Sequence, residues 1–539
     1  MRKMLALLLA AMMLVAVVPA AMAEDAAPAE HKASALFPTT EYGYPDLGGI
    51  TLTIWMPFNK DFTDIATSYS EFEVVKNLEK YMNVTLEFMH PPIGQEAENF
   101  ALMMTSAKLP DMIFQGGIES YYAGGVTMAY EDGVLYDYTS LISEENTPNY
   151  WEKVMADPYM TKGTIDDYGR NYRLGAQVSG SAESCTCMWG IMIRKDILEQ
   201  IGMETPETID EWTAMLKAMK DAGVQYPLIL NTSNYWQSRN AFSCAWNVDA
   251  RNFFITEEGT VAYGPATPEY KEYLTVMHDW YQNGYINADF TTTTQMDAWS
   301  MMANGQGGVI VDHTWPYPGS YYNVVEVNDP SKALVAAQMP KLHKEDPLTR
   351  VMVTNRGLAD SLAKYITADT EHPEACVAFL DALYDDDIEF MLSNGIEGIG
   401  YTLNEAGYPV IATMTPDNTK EERLSQRIYE LETESDSDLE YIVTSKYCYG
   451  VQPDTVRLLA QCSYDGDWPF GCTFTAEEAE ILSKYKADVE TYRDEMVMKF
   501  ITGNTSLDEF DSFVEKLNAM GLSEMQKVYE ASYARYLAR

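Results

Sequence analysis

Two hydrophobic periods alternate along the first part of the chain. Ile50 to Trp55 carries apolar and polar residues in turn with β-branched side chains, a strand pattern ended by Pro57. Val74, Val75, Leu78, Tyr81 and Met82 then fall at helical spacing within Phe72 to Met82. Val84 to Phe88 reads as a second strand, Glu96 to Ala107 as a helix, and Asp111 to Phe114 as a short strand running into Gln115-Gly116-Gly117. Strand, helix, strand, helix, strand is the βαβ order of a mostly parallel sheet covered by helices.

The order resumes after residue 180. Strands are predicted at Met188 to Ile193, Leu228 to Leu230 and Val309 to Asp312, and helices at Lys195 to Ile201, Thr208 to Ala222, Tyr270 to Asn283 and Asp297 to Ala303. Thr208 with Glu211 has capping-box spacing. Two such blocks imply two lobes with a cleft between them. The last third is different: Thr475 to Thr502 and Leu507 to Leu537 read as long amphipathic helices, split at Gly503, and form a helical C-terminal cap.

The first 23 residues do not belong to this pattern. Arg2 and Lys3 precede an apolar run from Met4 to Val18, too short for a comfortable span, and Ala21-Met22-Ala23 fits a signal peptidase. An exported chain cleaved after Ala23 is expected, and with the first cysteine at Cys185 it has no lipid-anchor cysteine. The net charge of −44 argues against nucleic acid and anionic membrane as partners. Export also makes the seven cysteines informative: Cys462 and Cys472 bracket a loop that a disulfide could close, while Cys185 and Cys187 read as buried thiols.

Several segments, in order, resemble the family 1 extracellular solute-binding proteins of ABC transporters. They are Leu109-Pro110-Asp111 with Gly133-Val134-Leu135, Arg194-Lys195-Asp196 with Pro206-Glu207-Thr208 and Glu211-Trp212, then Trp280 to Ile286 and His372-Pro373-Glu374-Ala375. Gly395 to Tyr401 with Gly407-Tyr408-Pro409, and the C-terminal helices, are similar to the large oligosaccharide-binding, lipoprotein-like subfamily. The resemblance implies an α/β, two-lobe periplasmic-binding-protein fold (type II-like) with hinge crossovers, closing on its ligand. It also implies an ABC permease with its ATPase as partners. On that fold the chain divides into a signal peptide (1–23), a flexible leader (24–46), an N-terminal lobe (47–175 and 357–415) and a C-terminal lobe (176–356 and 416–539). A monomer is expected.

A sugar offers hydroxyls at its rim and a C–H face, so its site needs flat aromatic rings and in-plane polar groups on loops after strand ends. That filter selects Trp55, Asn59, Gln115, Trp236, Trp315 and Tyr317, and with less force Trp189, Asp312, Arg356 and Tyr401. Ordinary core packing is the competing role for each aromatic. No nucleophile elbow, zinc-protease helix or phosphate loop is present, and the six histidines lack ligand spacing. Asp166 to Asn171 and Asp436-Ser437-Asp438 lack the calcium-loop pattern, so neither a catalytic residue nor a metal or cofactor is expected. A non-enzymatic carrier of an oligosaccharide is the favoured reading; a secreted carbohydrate-active enzyme, or a surface adhesion or sensor-input protein, is the alternative.

Overall fold

The computed structural model describes residues 31–179, 189–232, 241–348, 357–359, 362–405, 407–412, 414–435, 442–446, 448–459 and 468–539. The signal peptide, Trp236, Arg356, Cys185, Cys187, Cys462 and Asp436 to Asp438 lie outside these residues.

The first alternation forms a four-stranded sheet. Thr51–Trp55 lies between Thr85–Met89 and Met112–Ile113, both parallel to it, and Tyr365–Ile366 pairs antiparallel at the edge. Leu52 and Ile54 point into a core that also takes Val74, Val75, Leu78 and Met82 of the helix Glu73–Met82. That helix stops at Asn83, whose left-handed backbone (φ 48°) ends the hydrogen-bond ladder.

The second sheet runs Leu334–Ala337, Trp189–Arg194, Gly307–His313, Tyr226–Ile229. Its directions are mixed: only Tyr226–Ile229 is parallel to Gly307–His313. The helix Ile209–Asp221 begins with the full capping box of Thr208 and Glu211 and buries Trp212, Met215, Leu216 and Met219 against this sheet. Ala476–Thr502 also starts with a capping box, Thr475 with Glu478, and adds Val489, Val497, Phe500 and Ile501 to the same core.

Between the two sheets the chain crosses three times, and the crossings pair with one another. Gln177–Ser179 is antiparallel to Gly357–Ala359 on one side and parallel to Glu434–Ser435 on the other. The cores on either side are separate clusters of buried side chains.

Three expectations differ from the structure. The leader is not loose from residue 31 onward: Tyr44 and Leu47 are buried in the first core, and Leu36, Phe37 and Tyr42 pack against it. The segment after residue 415 stays with the first lobe, because Leu424, Ile428 and Leu431 are buried in the first core; the last crossing comes at Glu434–Ser435. The final helix is broken into Phe510–Met520 and Leu522–Ala538 at Gly521, whose φ is 119°. A Cβ on Gly521 would also sit 2.4 Å from the Tyr485 ring. Gly521→Ala is therefore expected to destabilise the chain by about 2 kcal/mol, read as a lower midpoint in urea unfolding; an unchanged midpoint contradicts the reading of this break.

Candidate functional site

Strand ends of the first lobe bring together a polar cluster. Asn59 follows Thr51–Trp55, and Gln115 follows Met112–Ile113 with a left-handed backbone (φ 58°). Asn59 Nδ2 donates to Glu430 Oε1 at 2.9 Å, and the Asn59 main-chain N–H donates to the Tyr69 hydroxyl at 3.1 Å. Glu430 and Gln115 also face that hydroxyl. Burial raises the Glu430 carboxyl above its ordinary range, so this acid belongs to an enclosed polar nest instead of a solvated tail. Ile428 and Leu431, buried in the first core, hold Arg427 and Glu430 at the surface of the lobe.

The other wall comes from the second sheet. Gly307–His313 ends in Asp312 and His313, and Trp315 follows with 60% of its surface exposed. Asp312 Oδ1 accepts from Gln295 Nε2 at 2.8 Å and from the His313 main-chain N–H at 2.7 Å. The Trp315 N–H donates to His313 Nδ1 at 2.8 Å, and Trp189 stands edge-on to His313 with ring centroids 4.9 Å apart. The two walls meet where the Arg427 guanidinium lies 5.9 Å from the centre of the Trp315 ring. An aromatic face, a cation and amide and carboxyl groups thus converge from two lobes, the combination that grips a polyhydroxylated ring.

Other expected residues do not reach this place. Trp55 is 1% exposed; its indole N–H donates to Asn99 Oδ1 at 2.9 Å and its ring meets Phe100 edge-on, which seats the helix Gly117–Tyr121. Tyr317 is fully buried beside Tyr321 with its hydroxyl on Glu326. Tyr401 is buried against Phe390 in a hairpin with Pro409–Ile411. All three rings serve packing, since each lies beneath an element and not above a strand end.

The residues missed are Tyr69, Arg427, Glu430 and His313. Glu430 opens an acidic, low-complexity stretch of the sequence, and the buried Ile428 and Leu431 at spacing three show that it starts inside the fold. Also missed is a cavity of about 720 Å³ between the first lobe and the C-terminal helices, lined among others by Tyr122, Tyr172, Arg173, Phe474 and Lys486.

Among the described residues, His31, Asp385 and Asp387 bring ligand-type atoms within 4.8 Å of one another. Asp385 is engaged there as the cap of Asp386–Asn394 and as acceptor of the Tyr44 hydroxyl at 3.1 Å. In the loop from Asp166, arginine supplies the positive charge: Arg170 Nε donates to Asp166 Oδ2 at 2.7 Å, and Arg535 and Arg539 pair with Asp167. Cys472 is half-buried, and its expected partner Cys462 lies outside the described residues. No helix among the described residues is long and apolar enough to cross a membrane.

Comparison with known proteins gives a consistent picture. A family model described as bacterial extracellular solute-binding protein matches residues 64–389. The polygalacturonan/rhamnogalacturonan-binding protein YtcQ of Bacillus subtilis strain 168 is 20% identical over 474 residues, covering 85% of this chain and 87% of that protein. The fold is similar to that of the alginate-binding protein AlgQ2 (TM-score 0.65, 19% identity, 90% of this chain and 98% of that one). It is also similar to that of an HMO-binding, ABC-transporter-associated solute-binding protein of Bifidobacterium longum infantis (TM-score 0.68, 16% identity, 91% and 99%).

Burial pushes the Asp312 carboxyl up to about 7, from an ordinary 3.8. Between those values the folded chain keeps a proton that the unfolded chain has lost, so the carboxyl's stabilising contribution is complete in acid and lost as pH rises towards about 7. Asp312→Asn is expected to shrink the fall in melting temperature between about pH 5 and pH 8, leaving the part due to Asp381, which burial also raises to about 7, and to Glu430, raised by burial as well. An undiminished fall contradicts the assignment.

Proposed function

Because the chain belongs to the bacterial extracellular solute-binding protein family, we propose that it captures an oligosaccharide between its two lobes and delivers it to an ABC permease with its ATPase. The lobes are residues 31–175 with 362–431 and residues 189–348 with 442–539, joined by the three paired crossings. Capture takes place without turnover, by a monomer exported after removal of residues 1–23.

One observation carries this reading: an exposed tryptophan at a strand end of one lobe faces an arginine and a nest of amide and carboxyl groups at strand ends of the other. Loops after strand ends are where open α/β sheets bind ligands, and a ring stacked on Trp315 would contact both lobes at once. A ligand gripped by both walls stabilises the closed form over the open one, which is the difference a membrane partner can sense. The names of similar proteins support the ligand class: YtcQ for polygalacturonan and rhamnogalacturonan, AlgQ2 for alginate. The strong negative charge makes nucleic acid a poor partner.

Calorimetry of residues 24–539 against a panel of neutral and acidic oligosaccharides, monosaccharides, amino acids and peptides is expected to find an oligosaccharide bound at one site and recovered intact by chromatography. Trp315→Ala should weaken that binding roughly tenfold, about 1.4 kcal/mol, with the melting temperature of the free chain unchanged. Binding of a peptide alone, or release of shortened sugars, contradicts the proposal.

A further inference from the structure

We infer that Lys364 pins the roots of all three crossings to the first lobe, so that bending during lobe closure is confined to the side of the crossings that faces the second lobe. This rests on the reading of a ligand captured between moving lobes.

The Lys364 side chain is buried, with its ammonium among main-chain carbonyls that are far apart in sequence. Nζ donates to Gly175 O at 2.9 Å, to Glu432 O at 3.1 Å and to Leu362 O at 3.4 Å. Each carbonyl belongs to a different crossing. Gly175 precedes Gln177–Ser179, Glu432 precedes Glu434–Ser435, and Leu362 follows Gly357–Ala359 on the way to the first sheet. An ammonium has three protons to donate, and three acceptors meet it. All three contacts lie at the first-lobe end of the crossings.

The surroundings fix these roots further. The Val178 N–H donates to Thr433 O at 2.8 Å, the Tyr384 hydroxyl to Ala176 O at 2.5 Å, and Thr433 Oγ1 to Leu383 O at 2.5 Å. Gly175, at φ 86°, is the residue that lets the crossing come this close, since a Cβ there would lie 3.0 Å from Lys364 Cβ. The Phe114 ring covers the ammonium at 5.8 Å, next to Gln115 of the candidate site, and the buried Glu432 carboxylate, 3.8 Å from Arg427, supplies the nearby negative charge. Burial lowers Lys364 to about 7, against the pull of Glu432, and a buried amine whose protons all meet main-chain carbonyls marks a junction of main chains in place of simple filling.

Hydrogen exchange on the full mature chain, with Lys364→Met and Lys364→Gln beside the wild type and no ligand present, tests this. In whichever variant circular dichroism shows folded, amides of 176–178 and 432–435 should exchange roughly tenfold faster, while Leu52 to Trp55 keep their protection. Unchanged exchange at the crossings overturns the inference, as does a loss spread evenly over the first sheet, or the failure of both variants to fold. Selective loss at the crossings in a chain that binds no oligosaccharide would uphold the pin and remove the function it is read to serve.

Discussion

Two hydrophobic cores that do not merge impose the governing constraint on this molecule. Each sheet buries its own helices, and the crossings between them pair with one another through main-chain hydrogen bonds, while Phe470 against Tyr159 and Arg535 and Arg539 on Asp167 also bridge the lobes. Main-chain pairing at the crossings resists sliding and twisting more than bending. Everything functional follows from that difference, because groups at the strand ends of each lobe are rigidly placed within their lobe while the space between lobes is left adjustable.

The polar groups at that space are arranged with little waste. Glu430 and Asp312 are both buried carboxyls whose protonated forms burial favours, one on each wall. Asn59 supports the first, and Gln295 with the His313 main chain supports the second. Trp315 stands out, exposed and anchored through its main-chain N–H to His313 Nδ1. The chain carries a net charge of −44, yet the cleft wall presents the cation Arg427.

Local signals were legible wherever period and capping agreed. The strand at Ile50 to Trp55, the helix after Thr208 and the helix after Thr475 appear within a residue or two of their expected limits, because alternation, helical spacing and capping boxes act over a few neighbours. Tertiary choices were not legible in the same way. Trp55 ends one strand and Trp315 follows another, yet the first is roofed by the helix Gly117–Tyr121 and the second is left open, a difference that depends on Gly117 letting that helix settle on the first ring. Likewise Arg427 and Glu430 sit in a polar stretch whose place is set by Ile428 and Leu431, and Lys364 is one lysine among many until two distant carbonyls and one local one surround it.

Closure of two preformed lobes on a sugar is the claim on which the rest depends. Small-angle X-ray scattering of residues 24–539, with and without a saturating oligosaccharide found by calorimetry, measures it directly. A smaller radius of gyration with ligand, reached in Trp315→Ala only at roughly tenfold higher oligosaccharide concentration, is the predicted result. Tight binding with an unchanged radius of gyration would contradict it.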